Sequence, residues 1–189
     1  MFINRKYSRG LMAKSDSFFI RASVNPGDAG TFAQTAIDLG AYVSALGKSV
    51  LKIKSVHYEW VCGPDATSNS PGGAPYMDGD KAGEALMQLT TQTQTAMVTL
   101  ENKSVIAKAS LWARNPDANA NPPAQTYNDS HSPQDYADSY IVAVETMYLG
   151  AIGGTEWTDG SDLTCAVMIE CQVETLTQAA AMALALSQQ

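Results

Sequence analysis

Apolar and polar residues alternate with a period of two through most of this chain. Near the C-terminal end, Leu163, Cys165, Val167, Ile169, Cys171 and Val173 alternate with Thr164, Ala166, Met168, Glu170, Gln172 and Glu174, the pattern of a strand with one buried face. Phe18, Ile20, Ala22 and Val24 alternate with Ser17, Phe19, Arg21 and Ser23, and Ala33, Thr35, Ile37 and Leu39 with Gln34, Ala36 and Asp38. Two further strands are predicted, over 85–91 with Ala85, Met87 and Leu89 on one face, and over 104–111 with Val105, Ala107, Ala109 and Leu111. The run from Tyr140 to Leu149 is apolar on both faces until Glu145, as expected of a central strand.

The stretch Val50 to Cys62 changes phase. Leu51 and Ile53 oppose Lys52 and Lys54, whereas Val56, Tyr58, Trp60 and Cys62 oppose Ser55, His57 and Glu59. A slip of one residue turns half of the apolar set to solvent unless an extra residue is absorbed. The pattern therefore predicts a β-bulge near Lys54 and Ser55, or a strand bent there from one sheet into another.

Helical signals are few. Ala41 to Leu46, closed by Gly47, reads as one or two helical turns. Thr177 is placed to cap an Ala-rich helix over 178–186, which at about 10 residues is marginal alone in water and needs something to pack on. Loops are marked over 25–30, 63–79 and 115–138 by Gly, Pro and Asn clusters. Seven or eight strands with little helix and no βαβ rhythm predict an all-β, antiparallel two-sheet sandwich. The long loops and the strand that changes phase favour a jelly roll over an immunoglobulin-like arrangement. The boundaries fall at 1–16 for a basic N-terminal arm, 17–176 for the sandwich and 177–189 for the C-terminal helix and tail.

The 189 residues suit one domain, and 45% hydrophobic content supplies a core. Only 16% are charged, below the average of about 25%, so neutral residues cover much of the surface. Charge is segregated. The first fourteen residues carry Arg5, Lys6, Arg9 and Lys14 and no acid. The eight remaining Lys and Arg then face all nineteen acids, a net of −11 over 15–189. A polyanion would avoid such a body everywhere except at the arm. The N-terminal residues do not read as a secretory signal, and no stretch reaches the roughly 18 apolar residues of a membrane span.

Candidate chemistry is sparse. His57 lies on the polar face of its strand. His131 sits with Asp129, Asp135 and Asp138 in a segment that could bind a divalent cation such as calcium, although the spacing matches no EF-hand or zinc motif, and an acidic solvated loop explains it as well. No other cofactor is expected. The three cysteines, Cys62, Cys165 and Cys171, form no disulfide framework. Cys165 and Cys171 lie roughly 20 Å apart on one strand, beyond disulfide reach, and read as core thiols. Glu59, Glu145, Glu170 and Glu174 all fall on predicted strands, but Glu170 and Glu174 look like the outward face of an amphipathic strand rather than a hydrolytic pair. No phosphate-binding loop, nucleophile elbow, GxGxxG or HExxH is present. Trp60, Trp112 and Trp157 could form a sugar-stacking platform, or pack in core and interfaces.

The basic arm, the strands from Ser17 onward, the long kinked Ser49-to-Trp60 strand and the closing Val167-to-Val173 strand together resemble the single-jelly-roll capsid proteins of small icosahedral viruses. The likeness is one of organisation and spans most of the chain. It implies a structural, non-enzymatic protein of the virion, assembled in the host cytoplasm. Its partners would be copies of itself in a symmetric shell, with a second coat protein and the genome as further candidates. It also implies that Arg5, Lys6, Arg9 and Lys14 face the genome or an acidic patch of a neighbouring subunit. Four charges are few beside the long arms of many such coats. The alternative class is a carbohydrate-binding or adhesion β-sandwich, which would bind sugar as a small oligomer.

Overall fold

The computed structural model describes residues 15–26, 30–44, 48–62, 80–116, 125–136, 139–153 and 163–188. Nine strands form: β1 Phe18–Val24, β2 Ala33–Asp38, β3 Ser49–Cys62, β4 Lys81–Thr90, β5 Val105–Asn115, β6 Gln125–His131, β7 Tyr140–Val142, β8 Thr146–Gly153 and β9 Leu163–Thr175, followed by helix α1, Gln178–Ser187. They lie in two antiparallel sheets of order β1-β9-β3-β7 and β2-β8-β4-β5-β6. The pairings nest: β4 with β5, β3 with β7, β2 with β8, β1 with β9. A single long hairpin wound round a barrel axis gives this order, which is the jelly roll expected from the sequence.

The inward residues of both sheets make one core. Leu51, Ile53, Ile169 and Cys171 from the four-stranded sheet meet Met87, Leu89, Met147 and Leu149 from the other, all fully buried. In β3 the phase change is resolved as a bulge. Ile53 pairs with Cys171 and Ser55 with Glu170, so Lys54 is the extra residue, and Ile53 and Val56 both face the core. Two polar residues in a row thus mark a displaced residue, not a change of sheet.

Three segments differ from the sequence reading. The 140–149 run is two strands, β7 in one sheet and β8 in the other, joined across the sandwich by Ala143, Val144 and Glu145. Its two-faced apolarity arises because the pieces serve different sheets and Ala143 is covered by α1. The 115–138 segment is not all loop: β6 pairs with β5 through seven positions, and a 3-10 turn follows at Pro133–Asp135. Tyr, Asn, Asp, Ser and His alternate poorly there because β6 overhangs the narrower sheet. Asn128, on its core-side face, is exposed, so no apolar face was needed to form the strand. Of the helical turns expected over 41–46, residues 41–44 form one tight turn, in which the amides of Tyr42 and Val43 both donate to the Leu39 carbonyl, and 45–46 lie outside the described residues. Ser44 then bridges to Ser49.

Glutamine carboxamides complete the backbone hydrogen bonding where strands end. Gln134 in the 3-10 turn accepts from the Val56 amide and donates to the Val56 carbonyl, both at 3.0 Å, occupying the edge of β3 beyond the short β7. Gln88, fully buried, donates to Ala96 O at 3.0 Å and accepts from Val98 N at 2.8 Å, clasping the 91–104 segment onto its sheet.

Because the β3–β9 register already skips Lys54, deleting that residue is expected to leave an uninterrupted alternation and a folded sandwich, destabilised by about 1–3 kcal/mol through loss of the bend and its ion pair. Deleting His57 instead turns Tyr58 and Trp60 outward, and cooperative unfolding should vanish. Urea denaturation followed by tryptophan fluorescence distinguishes the two variants.

Candidate assembly surfaces

The arm residues Arg5, Lys6, Arg9 and Lys14 lie outside the described residues, as does Asp138. The described chain begins at Ser15, tied to β9 by its amide to Val173 O at 3.1 Å and by its hydroxyl, which accepts from Val173 N at 2.8 Å. Ser15 therefore lies beside the C-terminal half of β9. Asp129 and His131 share a face of β6, with Oδ2 and Nε2 3.9 Å apart. Asp135 is turned away from them to accept from the Ser132 amide at 3.0 Å as the acid of a capping box. Among the described residues no three His, Cys, Asp or Glu side chains converge on a possible metal position.

On the outer face of the four-stranded sheet the bulge organises a polar cluster. Lys54 Nζ donates to Glu170 Oε1 at 2.7 Å and to Ser17 Oγ at 3.3 Å. Ser55 Oγ lies 3.4 Å from Glu170 Oε2 and 3.1 Å from His57 Nε2. The Lys54 hydrogen bond holds the Glu170 carboxyl below its ordinary value, assisted by the two serines and opposed by partial desolvation. Beside it runs an open trough of about 540 Å³ lined by Arg21, Ser23, His57, Glu59 and Met168. Arg21 Nη2 reaches Met168 Sδ at 3.6 Å, and its guanidinium lies 5.7 Å from the Phe19 ring centroid.

The outer face of the five-stranded sheet is partly covered by the 91–104 segment. Lys108 donates to Val98 O beneath it, and burial lowers the lysine's pKa. Beyond the segment, Trp112 of β5 stands directly opposite Tyr127 of β6, with 41% and 60% of their surfaces exposed, and Leu100 is exposed nearby. Trp60 is in the core, and Trp157 lies outside the described residues.

Helix α1 covers one end of the four-stranded sheet's outer face. Thr177 Oγ1 caps it by accepting from the Ala180 amide at 3.3 Å, and Ala181 and Ala185 pack on Val50 and Ala143. Glu174, which the alternation placed outward as an ordinary surface acid, is instead buried and forms an ion pair with Lys52 at 3.6 Å. Gln188 locks the far end: its side chain accepts from Ala143 N at 2.9 Å and donates to Ile141 O at 2.6 Å, while its carbonyl accepts from Thr91 Oγ1 and Gln92 Nε2. Sequence reasoning missed this anchor and the other glutamine clasps, because nothing in a glutamine's local context signals which distant backbone it meets. Met182 and Leu186 remain exposed on the helix.

No protein-family profile matches the chain, and neither does any curated protein sequence. Among solved structures it is similar to VP1 of Trichodysplasia spinulosa-associated polyomavirus in complex with 3'-sialyllactose, at 9% identity and a TM-score of 0.39, covering 85% of this chain and 95% of that one. It is also similar to the unassembled VP1 pentamer of Merkel cell polyomavirus, at 9% identity and a TM-score of 0.41 over 85% and 96%. A third similar structure, from desmodium yellow mottle tymovirus, has 6% identity and a TM-score of 0.40 over 87% and 88%. These are viral capsid proteins, and the likeness is one of fold.

Burial pushes the thiols of Cys165 and Cys171 up to about 12, with the Glu170 charge adding to the effect at Cys171. In a Cys62→Ser variant, Ellman's reagent at pH 8 should therefore find no reactive thiol in the native protein and two after denaturation. Glu170 gives the opposite sign. Its depressed pKa contributes stability above the ordinary glutamate value of about 4.3, lost as pH falls through the lower folded value. Thermal melts of wild type and Glu170→Gln should differ at pH 6 and converge as the pH falls below the folded Glu170 value.

Proposed function

We propose that this chain is the shell-forming subunit of a small icosahedral capsid, a structural protein rather than an enzyme. The observation that carries the reading is the distribution of exposed large apolar side chains over separate faces. Phe19 lies at the β1 edge of one sheet, Trp112 and Tyr127 lie on the other sheet, Leu100 lies on the segment covering it, and Met182 and Leu186 lie on α1. A protein with a single partner needs one such patch, whereas a subunit packed around several symmetry axes needs contacts on several sides. Low charge and segregated sign support the same reading. In it, the arm carrying Arg5, Lys6, Arg9 and Lys14 meets either the genome or an acidic surface of a neighbouring copy, which places the protein in the virion. Among the described residues no helix is long and apolar enough to cross a membrane.

The groups with shifted titration favour a structural role. Among the described residues they are two core thiols, Lys108 under its covering segment, Glu170 in its ion pair, and Tyr140, raised by burial. None joins a nucleophile to a base within a cavity. A second reading, a carbohydrate-binding sandwich, is favoured by the Trp112–Tyr127 pair, since two exposed rings side by side on a flat sheet suit stacking against a sugar.

Purified protein examined by electron microscopy and light scattering is expected to form closed particles tens of nanometres across that loosen as salt screens the arm. A variant lacking residues 1–14 should assemble with less salt dependence, or carry less nucleic acid. A monodisperse monomer or dimer at low and high salt overturns the shell reading. Loss of glycan binding in Trp112→Ala would then support the second.

A further inference from the structure

We propose that the outward stripe of α1, formed by Ala179, Met182, Ala183 and Leu186, packs antiparallel on the same stripe of a second copy across a two-fold axis. The inference rests on the assembly reading and names one of its contacts. Between Gln178 and Ser187 the helix has no charged residue, and every position from Ala179 to Leu186 is Ala, Met or Leu. A helix apolar all round belongs in an interior, yet only the Ala181 and Ala185 side is covered, by Val50 and Ala143. At about 100° per residue, the four proposed residues form a separate stripe, in which Met182 and Leu186 are 44% and 69% exposed. The helix cannot roll to hide them, because the Leu176 amide, donating to Lys48 O at 2.8 Å, ties one end to the sandwich and Gln188 ties the other.

Charge selects the occupant. Copies with a net of −11 over 15–189 repel one another across most of their surface. The stripe is a place where two of them meet without bringing like charges together. Among the described residues the helix itself carries no cation to hold a polyanion or an anionic bilayer, and Lys52 is paired with Glu174.

The stripe is also complementary to itself. With the axis between positions 182 and 183, Met182 of one copy faces Ala183 of the other, and Leu186 faces Ala179, so a large side chain meets a small one at every contact. Four residues per copy fall well short of the roughly 800 Å² per partner of a stable isolated interface. The contact is therefore weak alone and effective only as one of many in a closed array.

Disulfide trapping in a Cys62→Ser background tests this. Ala183→Cys sits beside the axis and is expected to yield covalent dimers under mild oxidation of assembled particles. Ser187→Cys lies about 13 Å from its symmetry mate along the helix axes, beyond disulfide reach, and should yield at least tenfold less. Leu186→Glu, which puts like charges at the contact, should reduce particle yield while leaving the monomer folded. Particles that form normally with Leu186→Glu and show no preference for position 183 overturn the inference and leave the shell reading intact. If no particles form at any salt the shell reading fails, and trapping at high protein concentration still decides the helix contact. A 183 cross-link that appears only on removing residues 1–14 would assign the stripe to the arm. Co-sedimentation of wild type with zwitterionic phosphatidylcholine vesicles, abolished by Leu186→Glu, would assign it to a lipid surface. Either result overturns the proposal.

Discussion

The ladder between β3 and β9 is the constraint on which the rest of the sandwich depends. These are the longest strands and the inner pair of the four-stranded sheet, so each must keep one apolar face toward the core for its full length. In β9 strict alternation does this. In β3 it works only because Lys54 is set aside as an extra residue, which lets Leu51 and Ile53 face the same way as Val56 and Trp60. Setting Lys54 aside has local consequences. Its ammonium meets Glu170, Ser55 joins the same carboxylate, and Ser17 ties the start of β1 into the cluster. The bulge thus couples the core register to the outer face at the start of β1.

A second constraint comes from sheets of unequal width and strands of unequal length. Wherever a strand outlasts its neighbour, backbone groups withdrawn from water need partners, and an orphaned group costs about 1–3 kcal/mol. Gln134 fills the gap left by the short β7 against β3, Gln188 plays the same part on the outer side of β7, and Gln88 holds the 91–104 segment. Gln34 accepts from Gln94 N and donates to Thr93, pinning the same segment from β2. A primary amide offers one donor and one acceptor side by side, the same pair an extended residue presents along a strand edge.

Most strands were legible because burial on one face writes period two into the sequence. The bulge was legible because Lys54 and Ser55 are adjacent polar residues between two apolar phases. β6 was not, since an overhanging strand has no buried face to encode. The crossing at Ala143 to Glu145 was not either, because it carries neither glycine nor proline, and the apolar residues on both sides read as one run. The cap and composition of α1 announced a helix, yet that it would bury Val50 and Glu174 depends on where the chain returns in space. Likewise, Asp135 looked like a companion of Asp129 and His131 until the 3-10 turn directed its carboxylate onto Ser132.

The glutamine clasps differ in kind from the contacts proposed between subunits. A carboxamide neither gains nor loses a proton between strong acid and strong base, and dissolved ions scarcely weaken its hydrogen bonds. Contacts between a cationic arm and an anionic body respond to both. In a shell made of such subunits, the proposed arm contacts are ionic, unlike the apolar α1 contact, while the glutamine latches within each copy are neutral. Changes in ionic strength would then act on those arm contacts before they act on the latches, and subunits released in this way would keep their fold.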